Sequence, residues 1–504
     1  MSSKRCVCID IGVKFTKYTS WSKTTSSTDG DIITCPTVVK WSCNGLVALK
    51  EEKSEYGFDE PFVKNFMLLV GKTYTDYQNS GYDPTTFGCK VKGNEKDEIV
   101  FQFTDKVSKS LNEVVIAVIE KVMNSCGYEV IKNIILTIPH DYTRRQIGIL
   151  SKCVERANGT LIGTLSHPMS SSIYNILSAD HLTKSSAVFL ICDCGYNSVG
   201  VSLIQYKENE IKMIGNARTE RISERWIDEE LAKCAVDDFV VWNGDEEFNE
   251  DLEDPNSTCH RHLVQKISEW KHGDLEEDVS IWSKDENQFD IRVDKNDLYD
   301  LHKRFMNNVL VVVEKLLKNL EIIPFSGGAF SSNAITHVIL SGFFCHIGNS
   351  GEYFRNNLNP FAQVLYSKHD SHALFGAKLL LAQKHSKSKP KLKISNERMY
   401  YIGLGVASDK VYSLFSPDEK LPCKKSLSIH HTGRATGIVS TGICIGGVLQ
   451  GNDGKYVWSC VYHVSFESSN EFSEYTVHCT LDEIHLKLKI VGNGITVFQN
   501  MYII

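Results

Sequence analysis

Two segments of the chain repeat one pattern of apolar and polar positions. The stretches CVCIDIGVKFTKYTSW (Cys6–Trp21) and VFLICDCGYNSVGVSLI (Val188–Ile204) each contain an apolar run, an aspartate, a glycine two residues later, and a second apolar run. This pattern predicts a β-hairpin whose tip carries a carboxylate beside a glycine. Because the pattern occurs twice, it predicts a domain built from two related halves.

Strand-like and helix-like segments alternate through the first three quarters of the chain. NIILTIPHDYT (Asn133–Thr143) predicts a buried strand, and the following RRQIGILSKCVERANG predicts an amphipathic helix. A long helix is predicted over Leu301–Ile323 and a buried strand over Ile335–Phe343. The acidic stretch Asn243–Ser257 is poor in core-forming residues and predicts a solvated loop. The alternation predicts an α/β domain over residues 1–385.

A lysine-rich segment interrupts this alternation. KHSKSKPKLK (Lys384–Lys393) has five lysines, two serines and one proline. This composition predicts an exposed linker over residues 386–395. Short alternating runs separated by turn residues follow over residues 396–504, and they predict a small all-β sandwich domain. No amphipathic helix is expected after the last strand.

The composition argues against several classes of protein. The 504 residues carry a net charge of −7, which gives no electrostatic reason to expect nucleic acid or an anionic membrane as a partner. No apolar run is long enough for a transmembrane helix, and the N-terminal residues lack the apolar core of a signal peptide. Among the sixteen cysteines, Cys6, Cys8, Cys192 and Cys194 are expected to be core thiols rather than metal ligands. Reduced thiols without an export signal indicate the cytosol, with the nucleus as a second compartment.

The two hairpin tips suit the binding of a phosphate. A glycine lets backbone N–H groups approach a phosphate oxygen without a side chain in the way. An aspartate beside that phosphate can hold a hydrated divalent cation. Asp10 with Gly12, and Asp193 with Gly195, therefore predict a nucleotide held between the two halves. The alternative is that Asp-x-Gly occurs here by chance.

In their order, these segments resemble the heat-shock-70 (DnaK-type) chaperones, which belong to the actin-like ATPase superfamily. The two hairpins resemble the phosphate loops of that family, and collinear matches cover nearly the whole chain. They are NFMLLVGKTY (Asn65–Tyr74), IILTIPHDYTRRQ with a switch proline at Pro139, LSHPMSSSIYNIL (Leu165–Leu177), ISEWKHGDL (Ile267–Leu275), HVILSGFFCHIG (His337–Gly348), SKHDSHALFGAKLL (Ser367–Leu380) and LKLKIVGNGITVF (Leu486–Phe498). The resemblance implies an actin-like ATPase fold of two duplicated ribonuclease-H-like halves, followed by the β-domain and no helical lid.

The predicted outline, with a nucleotide domain, a shortened β-domain and no lid, resembles an atypical branch of this family. Members of that branch pair stably with a J-domain protein at the ribosome and serve it as a non-hydrolysing subunit. The resemblance therefore implies a chaperone or co-chaperone that handles unfolded or nascent polypeptides in the cytosol. It also implies ATP or ADP with Mg²⁺ as the ligand, with Asp10 and Asp193 beside the metal.

Several residues that handle ATP in the family are replaced. Met67 stands where the catalytic lysine is expected, and its thioether cannot donate a hydrogen bond to a phosphate. His167 stands where a glutamate of the cation shell is expected. These replacements leave Asp10 and Asp193 as the catalytic candidates. The other replaced positions are Val13, Lys14, Ile147, Tyr196, Asn197, Gly200, Ser268, His272, Leu275, Phe343, Phe344 and His346.

The residues predicted to contact nucleotide include retained and replaced positions. They are Gly12, Val13, Lys14, Gly195, Tyr196, Asn197, Ser198, Lys271, Gly342, Phe343 and Asp370. Lys14 is predicted either to act as a point charge for a phosphate or to be a solvated lysine. Phe343 and Phe344 either fill the cleft or stack on adenine, and partial filling is the favoured interpretation.

Three functions compete on this sequence. The favoured one is a heat-shock-70-like chaperone or co-chaperone that binds nucleotide weakly and hydrolyses little or none, because losing one preorganised electrostatic group typically lowers the rate by about 10²–10³. The alternative is an active ATP-hydrolysing chaperone of the same family. A sugar kinase or an actin-like filament protein fits less well, because neither carries such a C-terminal β-domain. A peptide groove near Leu414–Ile429 is left open beside a plain sandwich core, and the basic linker predicts weak coupling between the domains.

Overall fold

The computed structural model is a mixed α/β protein whose sheets contain both parallel and antiparallel pairs. The described part of the chain contains ten α-helices, none of them long and apolar enough to cross a membrane. The described residues are 5–22, 31–43, 45–48, 61–82, 84–126, 131–178, 186–242, 246–254, 257–271, 278–282, 287–322, 334–347, 349–367, 371–385, 392–395, 401–407, 410–415, 423–430, 437–447, 457–468, 474–481, 485–492 and 495–503.

The first half of the α/β region is built on a five-stranded sheet with the order β11-β10-β1-β2-β3. The strands of the first half are β1 (Arg5–Ile11), β2 (Phe15–Ser22), β3 (Ile33–Pro36), β4 (Val39–Ser42), β5 (Gly45–Ala48), β6 (Phe62–Val63), β7 (Lys90–Gly93), β8 (Ile99–Thr104), β9 (Val107–Ser110), β10 (Ile131–Ile138) and β11 (Thr160–Ser166). Strands β4–β6 form one smaller sheet and β7–β9 form another. Its helices are α1 (Tyr74–Asn79), α2 (Leu111–Ser125), α3 (Arg144–Arg156) and α4 (His167–Ser178).

Strand β10 and helix α3 confirm the strand-then-helix prediction for this stretch. The successive residues Ile134, Ile135 and Leu136 of β10 are at most 9% exposed, as in a strand covered on both faces. Helix α3 begins after Thr143, whose hydroxyl accepts a hydrogen bond from the backbone N–H of Gln146. The Gln146 side chain in turn accepts from the N–H of Thr143, so a capping box fixes this helix end.

The second half repeats the first around a six-stranded sheet with the order β18-β17-β12-β13-β14-β19. Its strands are β12 (Ala187–Cys194), β13 (Val199–Lys207), β14 (Glu210–Thr219), β15 (Val279–Trp282), β16 (Gln288–Ile291), β17 (His337–Ser341), β18 (Gln363–Tyr366) and β19 (Lys393–Ser395), with β15 and β16 forming a separate pair. Its helices are α5 (Glu224–Trp242), α6 (Glu246–Glu253), α7 (Thr258–Trp270), α8 (Lys295–Ile322), α9 (Ser350–Asn357) and α10 (His372–His385). The long helix and the buried strand predicted in this region are confirmed as α8 and β17.

Two helices lie between the two main sheets. Helices α4 and α10 contact each other and share one apolar cluster with both sheets, which includes Cys8 of β1 and Ile191 of β12. A Cβ built on Gly376 of α10 would stand 1.8 Å from the carbonyl oxygen of Ser170 in α4, so only glycine permits this approach. The four cysteines predicted to be core thiols are buried in these two sheets, at Cys6, Cys8, Cys192 and Cys194.

Two sequence predictions fail in the second half. The acidic stretch expected to be a loop forms α6, because Phe248 and Leu252 lie four residues apart and are both buried. The end of the predicted exposed linker forms β19, which pairs in parallel with β14. Lys393 of β19 places its Nζ 3.3 Å from Glu210 Oε2, and Ile394 packs against the central apolar cluster. The lysine stems of this segment therefore do not prevent strand pairing.

The C-terminal part confirms the prediction of short strands. They form two four-stranded antiparallel sheets, with the orders β21-β20-β23-β24 and β22-β25-β26-β27. Val477 and Cys479 are buried while His478 between them is exposed, which is the two-residue period of a strand with one covered face. The strands are β20 (Tyr401–Ala407), β21 (Lys410–Phe415), β22 (Cys423–His430), β23 (Gly437–Gly447), β24 (Val457–Ser468), β25 (Glu474–Leu481), β26 (His485–Gly492) and β27 (Ile495–Ile503).

Candidate functional site

The two predicted hairpins form with the same turn. The N–H of Gly12 donates to the carbonyl oxygen of Phe15 at 3.0 Å, and the N–H of Gly195 donates to that of Ser198 at 2.9 Å. Each hydrogen bond therefore closes a four-residue turn, Gly12–Phe15 after β1 and Gly195–Ser198 after β12. A Cβ on Gly12 would stand 2.6 Å from the Phe15 oxygen, which explains why this turn requires glycine.

The two aspartates occupy equivalent places in the two sheets. Asp10 pairs with Lys17 across its hairpin and lies beside Thr137 of the parallel strand β10. Asp193 likewise pairs with Gly200 and lies beside Ser341 of β17. Ligands of open α/β sheets bind outside the carboxyl ends of the parallel strands, which is where both carboxylates are found.

Both hairpins line one cleft of about 390 Å³, a volume within the range of small-molecule sites. The structure thus brings together most of the residues that the sequence predicted. They are Asp10, Gly12, Val13, Lys14, His167, Asp193, Gly195, Tyr196, Asn197, Ser198 and Gly342.

His167 joins the two aspartates. Its Nε2 lies 3.0 Å from Asp10 Oδ1, and its Nδ1 lies 3.3 Å from Asp193 Oδ2. The side chains are 18% exposed for His167, 16% for Asp10 and 32% for Asp193, so this bridge is largely shielded from solvent. A carboxylate only accepts hydrogen bonds, and a neutral imidazole has one N–H. The doubly protonated imidazolium is therefore the form that satisfies both contacts.

Electrostatics favour the same charged form. Burial by itself lowers the pKa of His167, but the charges and hydrogen bonds of Asp10 and Asp193 outweigh it and raise that pKa to about 10. Burial raises the pKa of Asp193, yet the hydrogen bond and charge of His167 bring it below its usual value. His167 is the first residue of α4, where the helix dipole disfavours a cation by about 0.3–1 kcal/mol. Hydrogen bonds to charged groups are each worth about 1.5–3 kcal/mol, so the bridge prevails.

The position between the aspartates does not fit the predicted magnesium ion. Mg²⁺ prefers oxygen ligands at about 2.0–2.1 Å in an octahedral shell. Here the imidazole ring itself stands between Asp10 and Asp193 and takes one oxygen of each. Within the described residues, no group of three or more His, Cys, Asp and Glu side chains is arranged to hold a metal.

Lys14 reaches from the first hairpin to the second half. Its Nζ donates to Ser268 Oγ of α7 at 2.7 Å and lies 5.2 Å from the ring centroid of Tyr196. The ammonium therefore has a hydrogen-bond partner and an aromatic face inside the protein, unlike a solvated surface lysine. Its predicted contact with a phosphate stays a prediction.

Lys271 is not among the residues that line the cleft, although its partner Glu224 is. Its side chain is 0% exposed, and its ammonium forms ion pairs with Asp228 and, at 3.0 Å, with Glu224 of α5. Burial raises the pKa of Asp228, and the nearby Lys271 only partly opposes this shift. The ammonium is thus held by two carboxylates, and its predicted contact with nucleotide is not supported by this geometry.

Met67 is buried where the family resemblance led us to expect the catalytic lysine. It lies in a short 3₁₀ turn (Phe66–Leu69), is 5% exposed and packs in the apolar core of the first half. It is not among the residues that line the cleft. Gly342, which does line the cleft, has φ +106°, and a Cβ there would stand 1.9 Å from the Cys194 carbonyl oxygen. Asp370, His272, Leu275, the loop 416–422 and the side chains of Phe343 and Phe344 lie outside the description.

His140 and Arg218 are among the cleft residues that the sequence reasoning missed. His140 follows Pro139 at the end of β10, and a Cβ on Gly200 would stand 2.7 Å from its Cε1. His140 therefore fills the space beside Gly200, and burial lowers its pKa. Arg218 of β14 forms an ion pair with Asp141 across the cleft. The available signal was Gly200 itself, a position that resemblance assigns to an aspartate.

Comparison with known proteins adds no relative: no protein-family model matches the sequence, and no curated protein matches it.

Proposed function

We propose that this chain is a heat-shock-70-like chaperone or co-chaperone that assists protein folding, binding nucleotide weakly and hydrolysing it little or not at all. The observation that carries the proposal is the meeting of two equivalent Asp-x-Gly hairpins at one cleft, with their carboxylates joined by His167. The hairpins supply glycine turns that could contact a phosphate. His167 occupies the two carboxylates that would otherwise orient a hydrated cation for hydrolysis.

The strand order supports an actin-like ATPase fold. The five strands β11-β10-β1-β2-β3 and the five strands β18-β17-β12-β13-β14 have the same order, with the hairpin next to two parallel strands in each. Two copies of one sheet with helices α4 and α10 between them are what two ribonuclease-H-like halves require. The two antiparallel sheets after residue 400 support a β-domain of the chaperone type.

The side chains at the positions that resemblance assigns to ATP hydrolysis favour binding over hydrolysis. Met67 lies in a core and offers no donor to a phosphate. His167 engages both carboxylates that would otherwise orient a hydrated cation. Losing one preorganised electrostatic group usually lowers a rate by about 10²–10³, and the effects of several losses need not multiply.

The partners and the compartment follow from the resemblance alone. We propose a J-domain protein as a stable partner, the ribosome as the site of work, and unfolded or nascent polypeptide as the substrate. The cytosol, with the nucleus as a second compartment, is the proposed location.

Phosphate release from Mg-ATP by the purified full chain tests this function against the active-ATPase alternative. We expect release no faster than that of a buffer control, with or without an added J-domain protein. Steady release that Asp10→Asn abolishes would establish the active enzyme instead. Binding of a fluorescent ATP analogue, displaced by ATP, tests the nucleotide half of the proposal, and its absence at millimolar concentration would contradict that half.

A further inference from the structure

The four carboxylates that line the cleft are each engaged by a side chain of the protein. They belong to Asp10, Asp141, Asp193 and Glu224. Asp141 forms an ion pair with Arg218, and Glu224 forms one with Lys271. Asp10 and Asp193 each have one oxygen at a ring nitrogen of His167.

The ring of His167 is held in place from both sides of the peptide chain. Ser166 before it is paired with Ile138 in the sheet, and Pro168 and Met169 after it are buried. Both ring nitrogens lie within hydrogen-bond distance of a carboxylate oxygen. A divalent cation that bound both aspartates would have to expel the ring and break both contacts.

We propose that the His167 side chain takes the place of a divalent cation between Asp10 and Asp193, so that this site rejects Mg²⁺ and Mn²⁺ and binds phosphate without metal. The rejection of metal stands on the described side chains alone. Phosphate binding without metal rests on the proposed function, and it would rely on Lys14, whose ammonium lies at the first hairpin beside Tyr196. Mg²⁺ complexed to ATP would screen the phosphates from that ammonium and gain no carboxylate ligand in return.

Titration of Mn²⁺ followed by electron paramagnetic resonance tests the rejection of metal. The free-ion signal is recorded with wild type, His167→Glu and the matched control His478→Glu, which changes an exposed histidine of β25. We expect wild type and the control to leave the signal unchanged. His167→Glu places a third carboxylate beside those of Asp10 and Asp193. We expect this variant to bind Mn²⁺ at least about tenfold more tightly than wild type does. Binding by wild type that Asp10→Asn removes would overturn the proposal, and so would failure of a folded His167→Glu variant to bind.

A second measurement needs only the wild-type chain and covers the case in which His167→Glu does not fold. The dissociation constant of ATP is measured with excess EDTA and again with excess Mg²⁺. Equal affinity, or tighter binding in EDTA, supports the proposal. Binding that is more than tenfold tighter with Mg²⁺ overturns it and leaves the proposed function standing. Absence of ATP binding in both buffers removes the nucleotide function, while the Mn²⁺ titration still decides whether His167 excludes metal.

Discussion

The two hairpins of the cleft share one backbone and present different side chains. Each places an aspartate two residues before a glycine whose N–H closes a four-residue turn. At the tip, the first hairpin carries Val13 and Lys14 where the second carries Tyr196 and Asn197. The Lys14 Nζ lies 5.2 Å from the centroid of the Tyr196 ring. The two hairpins thus have the same backbone turn, and side chains from their two tips interact inside the protein.

The same contrast applies next to the carboxylates. Asp10 has Lys17 as its hairpin partner, whereas Asp193 has Gly200 and the ring of His140 beside it. His167 then contacts both aspartates, so the two carboxylates share one partner. The two halves therefore share an aspartate and a glycine turn, and they differ in the side chains beside each carboxylate.

The largest expected effect comes from Met67→Lys, which tests whether the first half can regain the lysine that resemblance assigns to it. The side chain at this position is in a core, so the variant buries an unpaired ammonium. We expect a loss of about 3–5 kcal/mol in the free energy of unfolding, measured with urea, and no gain in ATP turnover. The control Met67→Leu keeps the volume and should change stability by less than about 1.5 kcal/mol. A stable Met67→Lys variant that hydrolyses ATP would show that this residue turns toward the cleft.

The second effect concerns His167, the residue that joins the two hairpins. Replacement by Gln removes the charge that both aspartates share, and we expect a loss of about 1.5–3 kcal/mol. The pKa of His167 in the folded chain, about 10, is above its ordinary value of 6.5. Its contribution is therefore complete below pH 6.5 and declines as the pH rises through about 10. The pKa of Asp193 is below its ordinary value of 3.8, so its contribution is complete above that pH and is lost in more acidic solution.

The stability difference between wild type and His167→Gln should therefore be largest between about pH 4 and pH 6.5 and should shrink toward pH 10. Urea denaturation at several pH values measures it, and His478→Gln, at an exposed position, serves as the control. A difference that grows from pH 6 to pH 10 would contradict an imidazolium between the aspartates.

Much of this arrangement could be predicted from local sequence. Alternating apolar runs located both hairpins and the strands after residue 400, and the amphipathic pattern of RRQIGILSKCVERANG located α3. Helix α6 was missed because its buried apolar residues, Phe248 and Leu252, stand within an acidic stretch. Strand β19 was missed because composition describes a lysine-rich segment and cannot show the free edge of β14 that it pairs with.

The sequence indicated which residues lie at the candidate site, but it did not indicate which side chains they contact. Sequence indicated that His167 replaces a glutamate, yet the two contacts of its ring depend on residues 157 and 26 positions away. The bond from Lys14 to Ser268 spans 254 positions, and no local pattern encodes it. The burial of Lys271 with Asp228 and Glu224 likewise arises from helix packing, so its motif position was misleading.

A third prediction compares the two turn glycines directly. A Cβ on Gly12 would stand 2.6 Å from a backbone oxygen, whereas a Cβ on Gly195 would stand 3.3 Å from the equivalent oxygen. We expect Gly12→Ala to lose about 1–3 kcal/mol, because its turn must shift, and Gly195→Ala to lose less than that. Thermal and urea unfolding of the two variants measure the difference. Equal losses would show that the two turns are more alike than their oxygen positions indicate.

The smallest effect is the coupling between the two hairpin tips. Lys14→Met keeps a side chain of similar length but removes the hydrogen bond to Ser268 and the ammonium near the Tyr196 ring. A double-mutant cycle of Lys14→Met, Tyr196→Leu and the double variant measures the coupling free energy between the two side chains. We expect about 0.5–1 kcal/mol for a partly shielded cation–π pair. Ser268→Ala in the same background separates the hydrogen bond from the ring contact. If the cycle gives zero coupling while Ser268→Ala accounts for the whole loss, the two halves are joined through α7, and the aromatic ring of the second hairpin only fills space.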